Sequence, residues 1–243
     1  MLTQPAQSKK NMKNGMKRSV ILVHGAFADA TSWQKVILLL EREELAVTAV
    51  QLPLKSLAED VATTKRLLDS EPGDVILVGH SYGGAVITEA GAGSPKVKGL
   101  VYVAAFAPDA GEALGGLIER FSPSPLGTAV AADSAGFLFI DRTKFQSVFA
   151  NDLPEAEASV LAATQKPLSA SIFGEPIKAA AWKNIPSWYV VSTHDNSINP
   201  DLQRFMAKRM GAKTREIQAS HVSFISNPSQ IAKVIESAAV SIN

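Results

Sequence analysis

The sequence has no cysteine and almost no net charge. Without thiols, the chain cannot form disulfides, thiolate metal sites or iron–sulfur clusters, and it cannot use a cysteine nucleophile. Its 24 lysines and arginines nearly balance 23 aspartates and glutamates, so neither nucleic acid nor an anionic membrane is an expected partner. The longest strongly apolar run, residues 100–107, is far shorter than the roughly twenty residues of a membrane-spanning helix. With 243 residues, of which 46% are hydrophobic, the composition indicates one large globular domain.

The amino-terminal segment also lacks an apolar stretch. Residues 1–18 are polar and basic, whereas a secretory signal needs an apolar segment of roughly 7–15 residues. We interpret residues 1–18 as a disordered leader, or as sequence upstream of a later start codon at Met12 or Met16. The default expectation is therefore a cytoplasmic protein, with which the lack of cysteine is compatible.

Apolar runs of strand length alternate with segments of helical periodicity along the chain. Strands are predicted at residues 20–23, 46–52, 75–78, 100–105, 188–192 and 214–218. Helices are predicted at residues 32–43, 57–70, 85–92, 201–210 and 229–239. Several strands are apolar on both faces, as in strands buried between two helix layers. The pattern predicts an α/β fold with a mostly parallel six-stranded sheet and helices on both faces.

One long interval interrupts this alternation. Residues 109–185 contain Ala-rich helical stretches but no convincing buried strand, and a structureless loop of that length is uncommon inside a compact domain. We interpret the interval as a small helical cap inserted after the fourth strand. The core would then comprise residues 19–108 and 186–243.

The motif GHSYGG directly follows the predicted strand 75–78 and precedes a helix of small residues. Gly79, Ser81 and Gly83 match the Gly-x-Ser-x-Gly pattern of a nucleophile elbow, a sharp strand-to-helix turn that exposes a serine hydroxyl. Side chains two residues before or after the serine would clash in so tight a turn. The helix N-terminus beneath it favours developing negative charge. The structural alternative is a glycine-rich turn capped by a serine.

A nucleophilic serine needs a base, and the chain has four histidines. His221 and His194 both follow predicted strands and are topologically suitable. The order Ser, acid, His of this elbow architecture selects His221 as the base and Asp195 as the acid that orients it. The competing acid is Asp201, but its position directly before a helical run makes it a better helix N-cap. His194 is expected to be a surface residue or to act indirectly.

The segment HGAFAD at the end of the first strand supplies the predicted oxyanion donors. Gly25 allows the backbone to approach the elbow, so the N–H of Ala26 and the N–H of Tyr82 would point at the developing oxyanion. His24 is expected to brace this loop through hydrogen bonds. The side chain of His80 is expected to point away from the catalytic face.

Aromatic residues flank these groups in the sequence. The side chains of Phe27 and Tyr82 flank the predicted donor N–H groups, and Phe224 follows the predicted base by three residues. We therefore predict that Phe27 and Phe224 form part of the substrate-binding wall, although core packing is the alternative for every apolar residue. No Arg or Lys accompanies the elbow or the two catalytic loops, which favours a neutral substrate.

The segments VILVHGAFADATSWQKVILLLE, VILVGHSYGG, VYVAAFAPD and SHVSF together resemble the α/β-hydrolase superfamily, in order and over residues 20–239. The sequence is most similar to its small bacterial esterases and to the branch of plant methylesterases and hydroxynitrile lyases. This resemblance implies a six-stranded parallel sheet with an inserted helical cap. It also implies an esterase that uses neither cofactor nor metal, with Ser81, Asp195 and His221 as the catalytic residues and Ala26 and Tyr82 as oxyanion donors.

The resemblance also limits the activity. Hydroxynitrile lyases of this branch carry Glu-Ser-Cys at the elbow, threonine in the oxyanion loop and lysine after the histidine. This chain has His80 and Tyr82 around the serine, Ala26 in the loop and Val222 after the histidine. These differences argue against cyanohydrin cleavage.

The expected function is hydrolysis of a small, largely apolar carboxylic ester through an acyl-enzyme, by a monomer or homodimer. Lactonase, amidase and C–C bond hydrolase activities use the same triad and remain open. A non-catalytic receptor for a small ligand on the same fold is a further alternative.

Overall fold

The structure is a computed structural model that describes residues 18–241. Nine strands are described, namely β1 (Ser19–Val23), β2 (Ala46–Val50), β3 (Val75–His80), β4 (Val97–Val103), β5 (Val130–Ala132), β6 (Phe137–Ile140), β7 (Leu168–Ser169), β8 (Ser187–Ser192) and β9 (Lys213–Ile217). The α-helices described are α1 (Gln34–Arg42), α2 (Leu57–Ser70), α3 (Tyr82–Ala90), α4 (Leu114–Ile118), α5 (Phe145–Phe149), α6 (Glu155–Thr164), α7 (Pro200–Arg209), α8 (Ser223–Ser226) and α9 (Pro228–Val240). Short 3-10 helices lie at Ala30–Trp33, Pro125–Thr128, Ala170–Gly174 and Ala181–Lys183.

Six strands form one parallel sheet in the order β2-β1-β3-β4-β8-β9. Strands β1, β3 and β8 are buried along their whole length, as expected for parallel strands covered on both faces. Helices α1 and α9 pack together, as do α2 and α3, and α9 and α3 both contact the sheet. The predicted α/β fold is confirmed.

The sheet brings distant parts of the sequence to one edge. Because neighbouring strands are parallel, the segments that follow β1, β3, β4, β8 and β9 all leave the sheet at its carboxyl edge. The register pairs Val23 with Gly79 and His80 with Val103, so these strands end at similar heights. Ligand sites of open α/β sheets lie at this edge.

The interval 109–185 contains α4, α5 and α6, together with a small antiparallel sheet in the order β5-β6-β7. The strands of this sheet were not predicted. They are two to four residues long, which is too short for a periodic pattern to distinguish a strand from other structure. The division into core and cap remains a prediction.

The predicted leader falls mostly outside the described residues. Its last residue, Arg18, is described, and its carbonyl accepts a hydrogen bond from the N–H of Ala46 at the edge of the sheet. Its guanidinium donates to the carbonyl of Ala239 at 2.5 Å. Between residues 18 and 241, no helix has the length and apolarity needed to cross a membrane.

Candidate active site

The turn between β3 and α3 has the geometry of a nucleophile elbow. Ser81 has φ 54° and ψ −125°, a strained conformation for a residue with a side chain. A Cβ on Gly79 would lie 2.6 Å from the carbonyl oxygen of Gly83, and a Cβ on Gly83 would lie 2.5 Å from the carbonyl oxygen of Val23. The two glycines therefore allow the tight turn, as the sequence predicts, and its close contact with β1.

The loop after β1 lies directly against this elbow. A Cβ on Gly25 would lie only 2.6 Å from the Cβ of Ser81, so this glycine allows the close approach. The neighbouring Ala26 is buried and lines the same cavity as Ser81 and Tyr82. The two residues predicted to supply oxyanion donors thus flank the serine.

His24 holds the same loop to the segment after β2. Its Nε2 accepts a hydrogen bond from the N–H of Leu52 at 3.1 Å, so Nδ1 carries the proton and donates to the carbonyl of Gly25 at 2.8 Å. Burial lowers the pKa of His24 to about 4, which keeps the ring neutral near pH 7. These two hydrogen bonds hold the loop in place, which is the role predicted for His24 from the sequence.

Asp195 and His221 meet behind the cavity. The Nδ1–H of His221 donates to Oδ2 of Asp195 at 2.7 Å, and both side chains are buried. A carboxylate can only accept, so Nδ1 carries the proton and Nε2 of the neutral ring can accept one. Oδ1 of Asp195 accepts from the backbone N–H groups of Ser197 at 2.7 Å and Ile198 at 2.9 Å. The carboxylate is held by backbone donors as well as by the histidine.

Gln203 is part of this network but was not identified from the sequence. It lies on α7 and is completely buried. Its Nε2 donates to Oδ2 of Asp195 at 2.8 Å and to the carbonyl of Ile198 at 2.9 Å, while its Oε1 accepts from the N–H of Ser192 at 3.0 Å. The side chain therefore ties Asp195 to the end of β8. The sequence offers no signal for it, since a glutamine in a helix is usually exposed.

The two rejected alternatives lie outside this network. His194 is exposed, and its backbone N–H and carbonyl are bonded to Ala219 and Asn151. Asp201 is exposed and forms an ion pair with Arg204 at 2.8 Å. The prediction that Asp201 caps α7 is wrong, because Asn199 is the N-cap and accepts from the N–H of Asp201 through its side chain.

His80 and Phe224 support the histidine loop from behind. The Nε2–H of His80 donates to the carbonyl of His221 at 3.0 Å, and burial lowers its pKa well below the ordinary range. Phe224 is fully buried, with ring centroids 4.3 Å from Trp33 and 4.5 Å from His80. It packs in the core and is absent from the residues that line the cavity. The prediction that Phe224 forms part of the substrate-binding wall is therefore wrong.

A small cavity of about 50 Å³ lies above Ser81. Residues outside the interval 109–185 line it with Ala26, Phe27, Ser81, Tyr82, Phe106, Ser197, Ile198 and His221, and the interval itself contributes Leu114, Ile118, Leu126, Phe149 and Phe173. Phe149 also packs edge-on against the ring of His221, with centroids 4.9 Å apart. Most of the wall is apolar, and the polar groups cluster around the serine and histidine. Within residues 18–241, no three His, Asp or Glu side chains are arranged to hold a metal ion.

Comparisons with known proteins place the chain in a family. The sequence profile of the alpha/beta hydrolase family matches residues 20–234. Methylesterase 2 of Arabidopsis thaliana is 30% identical over 218 residues, which cover 78% of this chain and 83% of that protein. Alpha/beta hydrolase nvfD of Aspergillus novofumigatus is 27% identical over 245 residues, covering 92% and 97% of the two chains.

A solved structure shares the fold. The crystal structure of a pyrethroid hydrolase from Sphingobium faniae JZ-2 superposes with a TM-score of 0.78 at 24% identity, covering 90% of this chain and 96% of that one. The family match extends over most of the chain, including the strands, the elbow and the segment that carries His221. The chain therefore belongs to the alpha/beta hydrolase family.

Proposed function

We propose that the protein hydrolyses a neutral, largely apolar carboxylic ester through a covalent acyl-enzyme on Ser81. The observation that carries the proposal is the pair formed by His221 and Asp195 at 2.7 Å, with His221 and Ser81 lining one cavity. A serine that shares a cavity with a carboxylate-bound imidazole is the arrangement needed for general-base activation.

In the proposed reaction, Oγ of Ser81 attacks the ester carbonyl carbon while Nε2 of His221 takes its proton. Asp195 holds the imidazole in the Nδ1–H tautomer and stabilises its positive charge. The oxyanion accepts hydrogen bonds from the backbone N–H groups of Ala26 and Tyr82. The carbon–oxygen bond to the leaving alcohol then breaks, and His221 protonates that alcohol. Water, deprotonated by His221, releases the acid and regenerates Ser81.

The substrate class rests on the walls of the cavity and on the names of relatives. The cavity is lined mainly by apolar side chains, and no lysine or arginine lines it, so a neutral ester is favoured over an anionic one. Relatives and structural neighbours are named as methylesterase, pyrethroid hydrolase and polyneuridine aldehyde esterase. Those names support ester hydrolysis as the reaction.

The test is labelling and turnover of the wild-type protein and a Ser81→Ala variant. A fluorophosphonate should add one adduct to the wild type, detected by intact mass, and none to Ser81→Ala. Hydrolysis of p-nitrophenyl butyrate should fall by a factor of about 10⁴ or more in the variant. His194→Ala is the matched control, since that exposed histidine lies outside the network and its replacement should leave the rate unchanged. An unlabelled wild type that binds esters without turnover would instead indicate a receptor.

A further inference from the structure

A second, larger space adjoins the cavity above Ser81. The cavity itself has a volume of only about 50 Å³, whereas sites for small organic molecules usually have roughly 300–1,000 Å³. A groove of about 340 Å³ lies next to it, and Phe27 lines both spaces. Phe27 therefore lies between the two spaces, and an ester bound at Ser81 could reach the groove only past its side chain.

The groove runs between the segment after β1 and helix α6. One wall is formed by residues 27–35 and the other by residues 157–164, with Ile225 from α8 between them. Val160 and Leu161 contribute apolar surface from α6, and Val160 is 61% exposed. This side chain is therefore accessible to a group bound in the groove, whose lining also includes the polar side chains of Thr31, Ser32, Gln34 and Thr164.

The charged side chains along the groove already form hydrogen bonds within the protein. Nζ of Lys35 donates to Oε1 of Glu157 at 2.7 Å, across the groove from α1 to α6, and to the carbonyl of Ile225 at 3.3 Å. Oδ1 of Asp29 accepts from the backbone N–H of Thr31 at 2.7 Å. A charged substrate group that bound Lys35 or Glu157 would have to displace the other member of this pair, whereas an apolar group would pack beside it.

We infer that this groove is a binding subsite for one long or bulky apolar group of the ester, so that the preferred substrates are extended apolar esters. The inference rests on the proposed function, because only the ester carbonyl would lie at Ser81. Phe27 marks the boundary between the reacting ester bond and the bound group. Its backbone has φ 59°, a conformation that residues with a side chain rarely adopt and that sets the direction of its Cα–Cβ bond.

The subsite predicts how the rate depends on substrate size. Each methylene group that moves from water to apolar protein surface strengthens binding roughly fourfold. The ratio of kcat/KM for p-nitrophenyl octanoate to that for p-nitrophenyl acetate should therefore exceed ten if the acyl group occupies the groove. A parallel series from methyl to octyl butyrate would show the same trend if the alcohol occupies it.

Val160→Glu tests the groove directly, because it replaces one of the apolar side chains that line the groove by a charged one, at an exposed position that should not affect folding. Ala163→Glu is the matched control, since it adds the same charge to an exposed position of the same helix outside the groove. The long-to-short ratio should fall at least tenfold in Val160→Glu, in whichever series shows the preference, and less than twofold in Ala163→Glu.

Two outcomes would overturn the inference. Wild-type hydrolysis with no preference for longer groups in either series, or a ratio that is the same in both variants, would exclude the subsite while leaving the proposed function intact. A wild-type protein that hydrolyses no ester in either series would exclude both.

Discussion

The phenol of Tyr82, the residue after the proposed nucleophile, donates a hydrogen bond to Oδ2 of Asp60 at 2.7 Å. Oδ1 of the same carboxyl accepts from the backbone N–H of Leu54 at 2.9 Å, where φ is 62°. Asp60 is completely buried on α2. One carboxyl group thus holds both the residue that supplies a proposed oxyanion donor and the strained turn after β2.

Tyr82→Phe removes this hydrogen bond and little else. Because a buried carboxyl oxygen is left without its donor, the free energy of unfolding should fall by about 1–3 kcal/mol, measured by urea denaturation at pH 7. The turn at Ser81 would be held less firmly, so kcat for p-nitrophenyl butyrate should fall severalfold with KM little changed. Asp60→Asn, whose amide can still bond both partners, is the control. Equal kcat in wild type and Tyr82→Phe would show that the pair does not position the donor.

Asp60 also predicts a pH dependence of stability. Burial raises the pKa of Asp60 from its ordinary 3.8 to about 6, against the lowering effects of its hydrogen bonds to Tyr82 and Leu54. The folded state therefore binds this proton more tightly than the unfolded state does. The contribution of Asp60 to stability is present below pH 4 and is lost as the pH rises to about 6, by up to about 3 kcal/mol.

The measurement is the difference between wild type and Asp60→Asn in the free energy of unfolding, from pH 4 to pH 7. This difference is needed because the pKa of His24, lowered to about 4, acts in the opposite direction: an imidazole that resists protonation when folded stabilises the fold increasingly as the pH rises. Relative to the variant, the wild type should lose stability across this range. A constant difference would mean that the Asp60 carboxyl titrates normally.

Gly83→Ala tests the packing beneath the elbow. The added Cβ would lie 2.5 Å from the carbonyl oxygen of Val23 and 2.7 Å from that of His24. Since both contacts are backbone atoms, the strand or the elbow must move, and a loss of about 1–3 kcal/mol or more is expected. Gly116→Ala in α4 is the control, because nothing lies within 4 Å of its added Cβ and alanine favours helix. Thermal unfolding of the two variants should change in opposite directions.

The sequence could predict the elements whose signals are local. The parallel sheet follows from apolar runs of strand length, and the elbow follows from the spacing of Gly79, Ser81 and Gly83 in one continuous segment. His221 and Asp195 could be chosen because chain order limits the candidates. Each of these predictions uses residues that lie within a few positions of each other, or a topological rule.

The remaining features depend on tertiary packing. The short distance between Phe224 and His221 in the sequence predicts a place at the pocket wall. The direction of this side chain in the short helix α8 is instead determined by Trp33 and His80, which pack on it. Asp60 resembles any acidic residue in the first turn of a helix. Its contact with Tyr82, 22 residues later, exists only once α2 has packed against α3.

Gln203 gives the last prediction, since it positions Asp195 without facing the cavity. In Gln203→Leu, the N–H of Ser192 and Oδ2 of Asp195 each lose a buried partner, so a loss of about 2–4 kcal/mol in the free energy of unfolding is expected. The carboxylate would also be held less precisely behind His221. At a temperature where both proteins are folded, kcat should therefore fall at least tenfold with little change in KM. The control is Arg204→Gln, at the next position of α7, which is exposed. This variant should leave kcat unaltered. If kcat fell more in Arg204→Gln than in Gln203→Leu, the integrity of the helix, rather than the bond to Asp195, would control the rate.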